Sequence, residues 1–319
     1  MWDFIITFGV GNLLNITKCV LCLTWRTPDT LKFFLMARYI NPFTDTGFKK
    51  IFGQEQDKII LIGFLNALLE NSVFHDKIID IEYRDKEYPR DSESGRTLIN
   101  DVHCITESGR HIILEMQQDP HENFEDRIFA YGCRAISDQV KRGDWDFKLD
   151  SVYMVSFTGF YVDSNDRRLK IDRLMCDVET GKLINDRLRI IFIQLPAFNK
   201  EEYECETDFE KWIYTLKNMQ QLTHIPFAPR DKAFRRLSEV ASEAALTPEE
   251  LVSYRRDMKE YQVICSLERT RFKEGLLEGK IEASYAIARN MLNAGMDAKS
   301  VADLTGLALG EVDALSKNK

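Results

Sequence analysis

"NDVHCITESGRHIILEMQ", residues 100–117, places three polar groups on runs otherwise built like buried strands. Asp101 opens the first run, and Glu115 and Gln117 close the second, with the turn Ser108-Gly109 between them. Strand side chains alternate in direction, so Glu115 and Gln117 share one face while Leu114 and Met116 take the other. If Asp101 lies on that same face of the partner strand, two carboxylates and an amide converge. Clustered carboxylates repel and raise one another's pKa unless a cation sits between them. Hard oxygen donors favour Mg²⁺ or Mn²⁺, which commonly take one or two carboxylates, waters and a substrate phosphate. Such an ion polarises a phosphodiester and lowers the pKa of a bound water, so the pattern points to phosphodiester hydrolysis. The competing reading is that acids at strand ends are solvated edge residues. Against it, "RHIILEMQ" sets its acid among Ile112, Ile113, Leu114 and Met116, where an unpaired charge is costly.

The surrounding elements must form a sheet that brings these runs together. "DKIILIGFLNALLE" has apolar residues at helical spacing, with Asn71 and Ser72 after it. "IIDIEYRDKEY" is strand-like, "RDSESG" is a loop, and "TLINDVHCIT" and "RHIILEMQ" are β-rich. "NFEDRIFAYGCRAISDQVKRG" predicts a second helix closed by Gly143. "DSVYMVSFTGF" fits a strand covered on both faces, a hairpin turns at Thr180-Gly181, and "IIFIQLPAF" is a last buried strand ended by Pro196. Helix, three strands, helix, strand, hairpin and strand make a mixed α/β core.

On the second predicted helix, Arg127 and Tyr131 are four residues apart and share a face with Arg134, while Gln139 lies two turns beyond Tyr131. One reading puts Arg127 and Gln139 near a scissile phosphate. The other packs Ile128, Tyr131 and Ala135 on the sheet and leaves the charges solvated. Lys49, Lys50, Lys141 and Arg142 are candidates for local phosphate contacts. His103, His111 and His121 are not expected to bind metal, because His111 is read as pointing away from the face of Glu115 or into solvent.

The chain has 319 residues, 44% of them hydrophobic, and a net charge of -8, which suits a globular protein and excludes a broad basic surface for nucleic acid. Nucleic-acid contact must then be local or metal-assisted. Seven cysteines, mostly scattered singly, suit reduced thiols and a cytoplasmic compartment. Cys19 and Cys22 have metal-like spacing without a second pair nearby and are read as small apolar residues. Residues 1–35 are apolar, but Lys18 and Arg26 interrupt them, so no membrane span is expected. Met36 is read as the native start, with a short anchor or partner-binding helix as the alternative. From Glu201 the pattern is helical to the end. "SVADLTGLALGEVDAL" has the layout of a helix-turn-helix, yet it is acidic, and a helical capping or oligomerisation element is the favoured expectation.

Five ordered blocks, "TDTGFKKIFG", "FLNALLE", "DVHCITESGRHIILEMQ", "RIFAYGCRAISDQVKRGDWDFKLDSVYMVSF" and "IFIQLPAF", resemble the PD-(D/E)XK transposase-like group related to the recombination-promoting nucleases. The resemblance spans about residues 38–220. It implies a restriction-endonuclease-like core, metal-dependent DNA cleavage and a bacterial source. By position Asp101 and Glu115 become metal ligands, and Gln117 takes the place of the lysine that steadies the attacking water. Asp45 matches an acid of the first block and is read as an auxiliary acid near the metal or, preferentially, a helix cap or another structural role. The expected organisation is an N-terminal extension (1–35), a nuclease-like domain (36–220) and a helical C-terminal region (221–319). The expected function is a Mg²⁺- or Mn²⁺-dependent endonuclease acting on DNA, with self-association through the C-terminal helices. The alternative is a catalytically weak or inactive module of the same fold, kept open by the missing lysine and the acidic charge.

Overall fold

The computed structural model describes residues 39–317 apart from 71, 73–75, 85–86, 89–97, 100, 119, 121, 141–145 and 147. The expectations for residues 1–35, Met36, Cys19, Cys22, His121, Lys141, Arg142 and Gly143 lie outside the described residues. Two compact units divide the chain, Met1–Met258 and Lys259–Lys319.

In the first unit the elements run α1 (Asp45–Phe52), α2 (Lys58–Leu69), β1 (Ile81–Tyr83), β2 (Glu87–Tyr88), β3 (Leu98–Ile99), β4 (Val102–Thr106) and β5 (His111–Gln117). They continue with α3 (Phe124–Ser137), β6 (Val152–Thr158), β7 (Lys170–Cys176), β8 (Leu183–Gln194), α4 (Asp208–Asn218), α5 (Lys232–Val240) and the start of α6 (Pro248–Asn293). Six strands form one mixed sheet in the order β1-β4-β5-β6-β8-β7, and β2 pairs with β3 separately. The β4–β5 pair is antiparallel, β5–β6 and β6–β8 are parallel, and α3 is the crossover between β5 and β6. This is the expected α/β core.

Register divides the core into two layers. On one face Ile113, Met154 and Phe192 pack under Phe124, Ile128 and Ala135 of α3. A Cβ at Gly132 would stand 2.6 Å from Leu188 Cδ1 and 3.2 Å from Met154 Cγ, so the missing side chain lets α3 lie close on the sheet. On the other face Phe157 meets the rings of Phe48, Phe52 and Phe64. Phe64 also meets Trp212, which stacks on Phe234, so α4 and α5 extend this layer. All seven residues of β6 are buried, as its predominantly apolar character and its central place in the sheet demand.

Three boundaries differ from the sequence reading. "TLINDVHCIT" is not one strand, because the chain bends at Asp101 between β3 and β4. The second helix ends at Ser137, where Arg134 pairs with Asp138 at 2.7 Å. Residues 221–258, grouped by sequence with the tail, belong to the first unit. There Tyr254 Oη accepts the Asn41 N–H at 2.7 Å, and Asp257 Oδ2 accepts the Thr46 N–H at 2.9 Å.

The second unit comprises the remainder of α6, then α7 (Ala298–Thr305) and α8 (Leu309–Lys317), around Ala288, Val301, Ala302 and Val312. Gly295 and Gly306 have φ of 89° and 72°, the left-handed conformation that ends a helix most cheaply in glycine. One long helix followed by two short ones is the expected pattern.

Candidate active site

Asp101 stands at the bend before β4, and its Oδ2 accepts the backbone N–H of Met116 at 2.9 Å. That bond ties the acid to the strand carrying the second acid. The β4–β5 register pairs Val102 with Leu114, so one step further Asp101 faces Glu115 across the two strands. Glu115 is only 7% exposed, and its Oε1 has no hydrogen-bond partner among the described residues. Burial pushes its carboxyl up to about 8 and the nearby Asp101 charge adds to this, while Arg127 and Lys49 pull in the opposite direction.

Gln117 lies on the same face as Glu115, as alternation predicts. Arg127, one turn into α3, donates from Nη2 to Gln117 Oε1 at 2.5 Å. The Arg127 Nε is buried without a partner among the described residues. Tyr131, one turn further along α3, has its phenol pushed up by burial and by the charge of Glu115. Asp101, Glu115, Gln117, Arg127 and Tyr131 are therefore brought to one locality, two from strands, one from the bend and two from the crossover helix.

Other expected residues are placed differently. Asp45 is not the cap of α1: Thr44 is, accepting the Gly47 N–H at 3.1 Å. Asp45 is instead in the first turn, paired with Lys49 at 2.5 Å, and it is Lys49 whose charge acts on Glu115. Lys50 pairs with Glu250 at 2.9 Å. Gln139 is beyond the far end of α3 from Arg127, donating to the carbonyls of Ala135 and Asp150 and accepting the Asp150 N–H at 2.7 Å. Its amide fastens the entry to β6 and does not join the cluster. His111 is four positions from Glu115 on one strand and so shares its face, contrary to expectation, and its ring nitrogen lies 3.2 Å from that of His103.

One neighbour was missed. Ser156 of β6 is the register partner of Glu115, fully buried, with its Oγ also unpartnered among the described residues. The signal in sequence was a single serine inside the apolar run "VYMVSF".

A family model described as PD-(D/E)XK nuclease family transposase matches residues 42–264. The chain belongs to that family. A second model, described as Rpn/YhgA-like nuclease family, C-terminal HTH domain, matches residues 282–317. The match makes that segment a helix-turn-helix, the layout the sequence offered beside the favoured capping or oligomerisation element, and supports a DNA-binding role. No curated protein and no solved structure matches the chain. The PD-(D/E)XK assignment and the mixed sheet with flanking helices agree with the resemblance drawn from the five blocks.

Do the residues of this PD-(D/E)XK chain suit a divalent cation? No group of three or more His, Cys, Asp or Glu side chains with metal-binding geometry occurs among the described residues. Mg²⁺ needs fewer, because it keeps several waters and often takes one or two carboxylates. The buried, unpartnered Oε1 of Glu115 beside a second carboxylate is a donor set of that kind.

Proposed function

We propose that the chain is a Mg²⁺- or Mn²⁺-dependent DNA endonuclease in which Asp101 and Glu115 hold the ion. The observation that carries this reading is the buried Glu115 carboxyl, set against a second acid and lacking, among the described residues, a partner for one oxygen. A fold that buries such a group at a cost gains stability when a cation engages it. When bound, the ion would supply Lewis-acid polarisation of the phosphodiester and a more acidic water.

The chain's own residues do the rest. Asp101, fixed through Met116, sets one side of the ion site. Gln117 orients a water by hydrogen bonding, without the positive charge that a lysine would give. Arg127 brings a guanidinium beside Gln117, suited to a phosphate oxygen. Lys49 adds positive charge from α1, and Lys141 and Arg142 are proposed phosphate contacts. The helix-turn-helix segment would add DNA affinity that the acidic total charge does not. No helix among the described residues is long and apolar enough to cross a membrane. A bacterial cytoplasmic setting, a role in recombination or mobile elements, and self-association through the C-terminal helices belong to the same proposal.

The second reading, a catalytically weak or inactive DNA-associated module, is favoured by one observation: the amide oxygen at position 117 is already paired with Arg127. Incubation of the full chain with supercoiled plasmid, with Mg²⁺, Mn²⁺ or chelator, separates the two. Metal-dependent nicking that disappears in Glu115→Ala supports the endonuclease. Nicking-free DNA binding, retarding plasmid equally in parent and Glu115→Ala, supports the second reading.

A further inference from the structure

Glu115 has two neighbours across the strands on its face of the sheet, Asp101 on one side and Ser156 on the other. On its far side Ser156 is in register with Phe192, an apolar ring that can accept no proton. The serine is fully buried, and its Oγ and the Oε1 of Glu115 are both without partners among the described residues. Adjacent strands lie about 4.8 Å apart, so in-register side chains on one face are within reach of each other after a small rotation. A hydroxyl left unpaired in such a strand is costly, and an alanine would fill the same position without that cost.

We propose that Ser156 is a positioning residue whose hydroxyl donates to a Glu115 carboxyl oxygen and holds the group in the orientation that engages the cation. The proposal rests on the metal site described above. Ser156 Oγ and Glu115 Oε1 stand unpaired among the described residues, and a small side-chain rotation as the ion engages Glu115 brings the hydroxyl hydrogen onto a carboxyl oxygen. Supporting partners of this kind typically change metal affinity by about ten- to a hundredfold when removed.

The test is direct titration of the DNA-free full chain with Mn²⁺ by calorimetry, in the parent, Ser156→Ala, Ser156→Cys and Glu115→Gln, with thermal melting of each metal-free protein. We expect Glu115→Gln to lose the site and Ser156→Ala to bind about ten- to a hundredfold more weakly. The metal-free Ser156→Ala protein should melt at or above the parent temperature, because it has shed an unpaired hydroxyl. Ser156→Cys keeps nearly the same volume with a much weaker donor, and should also bind weakly. A serine that merely fills space would lower the melting temperature on truncation and leave the Mn²⁺ affinity unchanged. Parent-like affinity in Ser156→Ala and Ser156→Cys, with binding lost in Glu115→Gln, overturns the role of Ser156 and leaves the metal site standing. Absence of saturable Mn²⁺ binding in the parent overturns both.

Discussion

Asp101 and Met116 are joined by a hydrogen bond of 2.9 Å in which the carboxylate accepts a backbone N–H. The acid is thus a strand fastener as well as a candidate ligand, and the two duties separate by substitution. Asp101→Asn keeps an acceptor for Met116 but loses the charge, whereas Asp101→Ala loses both. Plasmid nicking at matched Mg²⁺ should vanish in both variants, while only Asp101→Ala should lose about 1 kcal/mol of stability in a denaturant melt. Parent-rate nicking by Asp101→Ala would place the activity in a contaminant or another site.

The raised pKa of Glu115 fixes the sign of a pH effect. Its folded value of about 8 lies above the ordinary 4.5, so the folded protein holds this proton more tightly than the unfolded chain. The contribution is complete below about pH 4.5 and is lost as pH rises through about 8. Metal-free protein should therefore show a melting temperature that declines across this window, and Glu115→Gln should remove that part of the decline. Mn²⁺ affinity should run the opposite way, rising with pH as the carboxylate ionises. A parent and Glu115→Gln pair with superimposable stability profiles would contradict the burial argument.

Gln117 and Arg127 make a coupled prediction. Gln117→Ala should slow single-turnover nicking by about ten- to a thousandfold, the span expected for losing a water-orienting group. Sequence alone suggests that Gln117→Lys would retain or raise activity by restoring the usual charge. The Arg127 guanidinium, 2.5 Å from Gln117 Oε1, occupies the space an ammonium would need. Gln117→Lys alone should therefore be slower than the parent, and adding Arg127→Gln should recover part of the rate. A faster Gln117→Lys single variant would show that the Arg127 pairing is dispensable.

Much of this site was legible because strand alternation is a rigid rule. The shared face of Glu115 and Gln117 followed from it, while the turn at Ser108-Gly109 was marked by its glycine and the buried run of β6 by apolar residues on both faces. The position of Asp101 opposite Glu115 needed the register, which the hairpin supplies. What stayed hidden depended on contacts distant in sequence or on rival caps. Thr44 rather than Asp45 caps α1 because both types can do so, and only backbone geometry chooses between them. Gln139 reads like a site residue on a helical wheel, yet the helix stops two residues before it and its amide binds the backbone of Asp150. Ser156 could not be paired with Glu115 without knowing that β6 runs parallel to β5.

The boundary between the two units gives a deletion prediction. A chain ending at residue 264 retains Tyr254 and Asp257, which hold the segment entering α1. It should melt cooperatively, bind Mn²⁺ like the full chain and lose DNA affinity with the helix-turn-helix segment. A chain ending at residue 247 loses those anchors and should be destabilised by about 3 kcal/mol or more. Equal DNA affinity in the 264-residue and full-length chains, measured by titration at fixed salt, would remove the C-terminal segment from DNA binding.

The buried carboxyl of Glu115 also bears on how such a protein changes over generations. Most substitutions in a core weaken a fold, but here replacement of one acid by a neutral residue of similar size should strengthen it. A lineage released from any need to cut DNA would find that replacement freely available and rewarded by higher abundance. The acid is a standing liability to the folded chain, one that only a use of the site could set against the stability a neutral residue would bring.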